Sequence, residues 1–358
     1  MPRRKAQPLE DIRLNFTPLH DSELSAAGSS IARSHIVLRG RLAGSSKIWI
    51  NKEMRDPVVA RREFLAQEFL RLINPYQPET RLMKDGSNNV HYIFSEEVKG
   101  FRPLPEDDCD NFANGTYRGL GQAMICAMFI QEADFKNGNV GLDRNGNVIK
   151  IDGYWAFSSK RKRKIGKQFD ITDGTISSLP FPADFYTFNW LDLVEQGMSY
   201  SSSLIVESSL SREEQFQAEV NQAMLKICLL PKVVLQSLVD ECFPAGGGEY
   251  LILLQTRKKI LTDVALNNAS FRQYLGSKEA NVAKNRICAQ MIKMKVNGEH
   301  RLLTLNQRHS LPDKLDRRLS SLCDSAITRN RAEMRRHKSA DRTSSEHEGH
   351  GSRGPSRR

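Results

Sequence analysis

The chain has 358 residues, of which 39% are hydrophobic, and it carries a formal net charge of +11. It contains no run of about 18 apolar residues, so the sequence predicts no membrane-spanning segment. The basic start at Met1 is followed by no apolar region, so it also predicts no secretory signal peptide. The basic excess favours acidic partners such as anionic lipids, inositol phosphates or acidic protein segments.

The cysteines indicate the redox compartment. The six of them are scattered along the chain and form no Cys-x-x-Cys pair. Several lie in apolar helical patterns, as buried reduced thiols do, so we expect neither a zinc site nor a disulfide framework. This pattern predicts a cytosolic protein.

The N-terminal third predicts two β-hairpins around one helix. Residues 34–52 alternate as two strands joined by a turn of small residues. Residues 57–73 have the apolar stripe of an amphipathic helix, and residues 80–95 predict the second hairpin. Residues 101–114, with two prolines and an acidic cluster, predict a linker to the rest of the chain.

The most informative stretch runs from Glu132 to Phe157. Asp134 is followed five residues later by Asn139, and an Asn-Gly hairpin pattern then leads the chain back to Asp152. Phosphoryl transfer needs a carboxylate near the acceptor hydroxyl, and an amide and a second carboxylate that hold magnesium against the phosphates. The spacing therefore predicts a kinase-type site. The alternative is a surface hairpin with solvated carboxylates.

The C-terminal half is predicted to be helical after a basic run at 160–164. A low-complexity tail from His337 is predicted to be disordered, and the polar residues 1–30 are predicted to hold little regular structure. The predicted helices span 211–230, 231–243, 249–274, 278–295 and 312–336.

Two short motifs in the stretch from Glu132 to Phe157 resemble those of known kinases. Residues 134–139, D-F-K-N-G-N, resemble the D-x-K-x-x-N catalytic loop of serine/threonine protein kinases and the D-R-H-x-x-N loop of phosphoinositide kinases. Residues 151–153, I-D-G, stand where those families have I-D-F-G. Segments 95–101 and 185–192 resemble atypical kinase-fold effectors that intracellular bacteria inject through the Dot/Icm type IV secretion system. The resemblance covers roughly residues 30–310.

The resemblance implies an α+β fold with the two lobes of a kinase. A small antiparallel-sheet N-lobe is expected over residues 31–100, and a mainly helical C-lobe over residues 101–336. The polar segment 1–30 precedes the lobes, and the basic tail 337–358 follows them.

The resemblance also implies roles for residues of the N-lobe. The first hairpin turn would cover the ATP phosphates through Gly44, Ser45 and Ser46. Lys52 would neutralise the α- and β-phosphates, held by Glu63 of the following helix. Two alternatives stay open from the sequence, namely Lys47 for the lysine and Glu68 for its partner. The hinge that contacts adenine is assigned to Glu97 and Val98.

In the C-lobe, the resemblance implies that Asp134 orients or deprotonates the acceptor hydroxyl and that Lys136 meets the γ-phosphate. Asn139 and Asp152 would bind Mg²⁺. Two departures from the families stand out. Glu132 and Ala133 replace the usual His-Arg, which predicts that the catalytic loop lacks its usual brace. Gly153 follows Asp152 directly, without the intervening residue of D-F-G.

The function implied is an ATP- and Mg²⁺-dependent kinase that phosphorylates a protein or phosphoinositide hydroxyl after secretion into a host cytoplasm. The basic run could contact an anionic head group at a membrane surface or act as a nuclear-import signal. Its residues are Lys160, Arg161, Lys162, Arg163 and Lys164. The alternatives are a silent pseudokinase that binds an inositol phosphate, and an AMP-transferase on the same fold. No aromatic-interleaved basic face is present, so no specific nucleic-acid binding is expected.

Overall fold

The computed structural model describes residues 16–18, 37–42, 45–84, 91–104, 109–157, 170–180, 190–191, 209–298 and 300–348. Its N-terminal part is a five-stranded antiparallel sheet with the order β1-β2-β3-β5-β4. The strands are β1 (Phe16–Pro18), β2 (Val37–Leu42), β3 (Ile48–Met54), β4 (Thr80–Lys84) and β5 (His91–Glu96).

Helix α1 (Pro57–Ile73) packs against one face of this sheet. Its start is fixed by Asp56, whose carboxylate accepts hydrogen bonds from the amides of Val58 and Val59, and by Pro57 in the first turn. Twelve of its residues are buried, far more than one amphipathic stripe requires, because α1 lies between the sheet and the helical part of the chain. Glu63 and Gln67 are therefore held inside the protein.

The remainder is mainly helical. A small sheet with the order β6-β7-β8, made of β6 (Arg102–Pro103), β7 (Val140–Leu142) and β8 (Val148–Lys150), lies beside it. The short hairpin of β9 (Lys295–Val296) and β10 (His300–Arg301) precedes the last helix. The helices are α2 (Cys109–Ala113), α3 (Leu120–Phe129), α4 (Asp173–Ser177), α5 (Glu214–Leu229), α6 (Lys232–Cys242), α7 (Gly248–Asn267), α8 (Ala269–Leu275), α9 (Lys278–Lys293) and α10 (Leu305–Glu348).

Every residue of α3 is buried, and this helix leads the chain directly to Asp134. Gly119, at its N-terminus, has no side chain to cap the helix, and Glu219 of α5 provides the cap. The Glu219 carboxylate accepts hydrogen bonds from the amides of Gly119 (2.7 Å) and Gly121 (3.1 Å). The position of the loop after α3 thus depends on a contact between two helices.

We expect Glu219→Ala to lower the free energy of unfolding by about 2–4 kcal/mol, because two buried amide N–H groups would lose their acceptor. Urea unfolding followed by circular dichroism measures this change. Glu219→Gln keeps one acceptor oxygen in place, so it should cost clearly less than the alanine substitution. Equal stability of wild type and Glu219→Ala would contradict the assigned cap.

The α+β class and the two-lobe, kinase-like layout predicted from the sequence are confirmed, with a small antiparallel sheet followed by a mainly helical part. Two segments differ from the prediction. Strand β1 lies within residues 1–30, which were expected to be irregular, because it pairs with the edge of β2. Helix α10 begins before Pro312 and continues through residues 337–348, part of the predicted disordered tail, since extending an existing helix fixes only one residue at a time.

The hydropathy of the helices gives one further finding. Within the described ranges, no single helix is long and apolar enough to cross a membrane. The pair α5 and α6, bent by 86° at their junction, meets the length and composition criteria together.

Candidate active site

The first part of the site is a half-buried cation between two carboxylates. Lys52 on β3 donates to both carboxylate oxygens of Glu63 on α1, at 3.1 and 3.0 Å, and to Oδ1 of Asp152 at 3.2 Å. The structure thus brings together three residues that lie up to 100 positions apart in the chain. The Asp152 side chain is 38% exposed, so its carboxylate is open to a ligand from the solvent side.

Helix and strand periodicity explain why the alternatives to these residues do not meet there. Glu68 lies five residues after Glu63, a rotation of about 140° around the helix, and it pairs instead with Arg71. Lys47 lies in the bend before β3 and pairs with Glu96 at 2.8 Å. The pairing of Lys52 with Glu63 is the arrangement expected from the sequence.

The charges of this cluster are stabilised by one another. Burial would lower the pKa of Lys52, but Glu63 and Asp152 outweigh it and raise that pKa. Burial would raise the pKa of Asp152, but the ammonium groups of Lys52 and Lys150 and the amide of Tyr154 hold it below its ordinary value. Asp152 therefore keeps its negative charge throughout the neutral range.

The second part is the loop that contains Asp134. The Asn139 amide donates to Oδ2 of Asp134 at 2.8 Å and to its backbone carbonyl at 3.1 Å, which closes the loop on itself. The Lys136 ammonium lies 3.3 Å from the same Oδ2. Phe135 anchors the loop, since its ring is fully buried and packs 4.8 Å from the ring of Trp190.

The two parts meet where the β7–β8 hairpin ends. The amide of Ile151 donates to the carbonyl of Asn139 at 2.8 Å. This hydrogen bond joins the Asp134 loop to the residue that immediately precedes Asp152. Asp152 has a left-handed backbone, with φ of 61°, and its Oδ1 accepts from the Tyr154 amide at 3.0 Å. Such a conformation is uncommon for a residue other than glycine and is concentrated at functional sites.

The residue after Asp152 must be small because α1 passes close by. A Cβ atom on Gly153 would lie 3.0 Å from Cβ of Ala66. Gln67, with its amide oxygen turned toward the loop, accepts from the amides of Asp152 (3.2 Å) and Gly153 (3.0 Å) and donates to the carbonyl of Lys150 (3.2 Å). These contacts hold the backbone of residues 150–153 against α1.

Sequence reasoning missed two buried residues of the site, Lys150 and Glu132. Lys150 is fully buried, and its ammonium donates to the carbonyls of Ile151 (2.8 Å) and Asp152. Glu132 is 1% exposed, accepts from the Asp134 amide at 2.9 Å and lies 3.8 Å from the Lys150 ammonium. The only signal in the sequence was a charged residue at a core position of a strand, which is rare without a partner.

The donors of the predicted metal site fit Mg²⁺. Asn139 and Asp152 offer an amide oxygen and a carboxylate, the hard oxygen ligands that this cation prefers. Asp152 is held in its charged form and is partly open to solvent. Among the described residues, no cluster of three or more histidine, cysteine, aspartate or glutamate side chains is placed to hold a metal ion.

The residues assigned to the hinge follow β5. The Glu97 amide donates to the carbonyl of Ile48 at 2.9 Å, and its carboxylate pairs with Arg39 of β2 at 2.5 Å. The carbonyl of Val98 accepts from Phe101 at 3.1 Å. Within the part of the chain that the structure describes, the Val98 N–H donates to no backbone carbonyl.

The turn assigned to the phosphates lies at the hinge end of the sheet. Lys52 lies four residues beyond Ile48, about 13 Å along β3. The Ser45 hydroxyl accepts from the Lys47 amide at 3.1 Å, a contact within the turn itself. The structure therefore does not bring Ser45 and Ser46 to Lys52. Gly44 and the basic run 160–164 lie outside the described residues.

The Glu63 carboxyl gives the cluster a pH dependence. Burial raises its pKa to about 7, although Lys52 partly offsets this. The folded chain then binds this proton more tightly than the unfolded chain, so the contribution of Glu63 to stability falls as the pH rises toward 7. Below pH 7 the neutral Glu63 loses most of its attraction for Lys52.

We therefore expect an acid limb near pH 7 in the pH profile of kcat/KM for ATP. Glu63→Gln should remove this limb and give a low value at every pH, because its uncharged amide cannot hold Lys52. Initial rates between pH 5.5 and 9 measure both profiles. An unchanged limb in Glu63→Gln would show that another group titrates.

Comparisons with known proteins add a fold neighbour. The sequence matches no protein-family model and no curated protein. Among solved structures, the chain is similar to the crystal structure of a Helicobacter pylori proinflammatory kinase, CtkA. The TM-score is 0.31 at 11% identity, over 88% of this chain and 96% of that chain. A likeness of this degree assigns no activity to this chain.

Proposed function

We propose that this protein is an ATP- and Mg²⁺-dependent phosphotransferase. One observation supports the proposal above all others. Lys52, Glu63 and Asp152 form a charge cluster in which Glu63 is buried, and the Asp134–Asn139 loop is hydrogen-bonded to the residue before Asp152. A cation for phosphates, a metal-binding carboxylate and a carboxylate for an acceptor hydroxyl are the parts that phosphoryl transfer requires.

Each residue has a defined task in this proposal. Lys52 binds the α- and β-phosphates, and Glu63 keeps its ammonium in place. Asn139 and Asp152 would hold Mg²⁺, which neutralises charge on the phosphates when bound. Asp134 orients the acceptor hydroxyl and takes its proton, while the Asn139 amide fixes the rotamer of that carboxylate. Lys136, 3.3 Å from Asp134, faces the charge that develops on the γ-phosphate.

The acceptor is a hydroxyl of a protein or of a phosphoinositide. Lys136 is typical of enzymes that act on protein hydroxyls, whereas the basic run 160–164 suits an inositol head group. We further propose that the protein acts in a host cytoplasm, on the strength of the resemblance of its sequence to secreted effectors.

A second candidate is nucleotidyl transfer by the same cluster. The observation that favours it is the position of the turn containing Ser45, which lies at the other end of β3 from Lys52 and therefore does not fix which phosphate faces the acceptor. A nucleotide bound in the reverse orientation would expose its α-phosphate to the acceptor.

One experiment separates these functions. The purified chain is incubated with Mg²⁺ and either γ- or α-labelled ATP, together with a cell lysate or a phosphoinositide panel. We expect label from the γ-phosphate alone to reach an acceptor. Label from the α-phosphate would identify nucleotidyl transfer. No transfer of either label, with ATP binding retained, would identify a binding protein without catalysis.

A further inference from the structure

The ammonium of Lys150 is buried beside the candidate active site, and its role there rests on the proposed function. A lysine side chain normally reaches solvent, since burying its charge costs several kcal/mol unless partners compensate. Lys150 is fully buried and directs its charge at two consecutive carbonyl groups, those of Ile151 and Asp152. These two carbonyls belong to the backbone around Asp152, whose carboxylate is the proposed Mg²⁺ ligand.

The counter-charge comes from the other half of the site. Glu132 stands two residues before Asp134, and its Oε1 accepts the Asp134 amide at 2.9 Å. Its Oε2 accepts no hydrogen bond from a described residue and lies 3.8 Å from the Lys150 ammonium. Each charge thus holds a backbone group of one loop while it attracts the other charge.

We propose that Glu132 and Lys150 are a positioning pair. They couple the Asp134–Asn139 loop to the backbone of Asp152, the proposed Mg²⁺ ligand. Lys150 fixes the carbonyl of Asp152 and Gln67 fixes its amide, so the backbone of Asp152 is held on both sides while its Oδ1 accepts from Lys52 and Tyr154. Glu132 fixes the amide of Asp134 in the same way. Because His-Arg is replaced by Glu132 and Ala133, the sequence predicted a catalytic loop without its usual brace. In this proposal the ion pair of Glu132 and Lys150 takes the place of that brace.

A purely structural role is the competing explanation, and Lys258 is a matched control for it. Lys258 is also a buried lysine, 8% exposed, and its ammonium donates from α7 to the carbonyl of Leu230, at the end of α5. It contacts neither loop of the site. Lys258→Met therefore removes a buried lysine amino group whose described hydrogen bond goes to Leu230.

The test compares Lys150→Met, the double variant Glu132→Gln/Lys150→Met and Lys258→Met with the wild type. The double variant leaves no uncompensated charge, which guards against simple unfolding. Backbone hydrogen exchange of residues 152–153 is measured on the full chain without nucleotide, and the Mg²⁺ concentration for half-maximal γ-phosphate transfer is measured with ATP.

We expect Lys150→Met and the double variant to exchange these amides at least about tenfold faster and to need about tenfold more Mg²⁺, as for the loss of a group that orients a metal ligand. The KM for ATP should change less than about threefold, because Lys52 keeps its partners. Lys258→Met should alter neither quantity. Unchanged exchange and Mg²⁺ requirement in the double variant, or equal changes in Lys258→Met, would overturn the proposal. A wild type without transfer activity would refute the proposed function, while the exchange measurement would still decide the positioning role.

Discussion

Asp152→Asn is expected to lower phosphoryl transfer by roughly 10³-fold, the scale on which a single electrostatic group at a reacting phosphate acts. The substitution removes the negative charge of the carboxylate that we propose binds Mg²⁺, but it keeps the size of the side chain. Asparagine tolerates the left-handed backbone at this position, with φ of 61°, whereas alanine would be strained there. The fold should survive, because Lys52 retains its two hydrogen bonds to Glu63.

The measurement is the steady-state rate of ADP formation, with the unfolding temperature recorded in parallel. Asp143→Asn is the matched control, since Asp143 lies in the turn of the same hairpin and its carboxylate accepts from the amides of Asn145 and Asn147. It should keep a rate close to wild type. A folded Asp152→Asn protein with the wild-type rate would remove Asp152 from the site.

Asp134→Asn is expected to lower kcat by about 10²–10⁴-fold, the range for loss of a general base. The KM for ATP should stay within a few-fold of wild type, because Lys52 keeps its two hydrogen bonds to Glu63 when Asp134 is replaced. Loss of Asp152 should lower kcat and should also raise the Mg²⁺ concentration needed for half-maximal activity. Full kinetics at several ATP and Mg²⁺ concentrations distinguish the two variants, and equal kcat for Asp134→Asn and wild type would exclude the assigned role.

Much of the site could be predicted from short-range patterns. The Asn-Gly hairpin after Asn139 returns the chain to the loop. The sequence pattern therefore predicted that Asp152 lies near Asp134 and Asn139. Lys52 and Glu63 could be proposed as a pair, but Lys47 and Glu68 stayed open as alternatives, and the contacts in the structure decide between them. These inferences needed only local geometry.

What the sequence could not provide depended on contacts between distant segments. The register of β2 against β3 places Val37, and not the turn at Ser45, opposite Lys52. Lys150 looked like one charge in a short strand, and only the packing of α1 and of Glu132 around it reveals a buried pair. Strand β1 was missed because three residues form a strand only through pairing with β2.

The central claim is that the cluster of Lys52, Asp134 and Asp152 transfers the terminal phosphate of ATP. Phosphorus NMR of ATP and Mg²⁺ with the purified chain, with lysate as acceptor source, follows each phosphate separately. We predict that wild type converts ATP to ADP with loss of the γ-phosphate signal, and that Asp152→Asn leaves ATP unchanged over the same period. Formation of AMP and pyrophosphate, or equal ADP formation by both proteins, would contradict this claim.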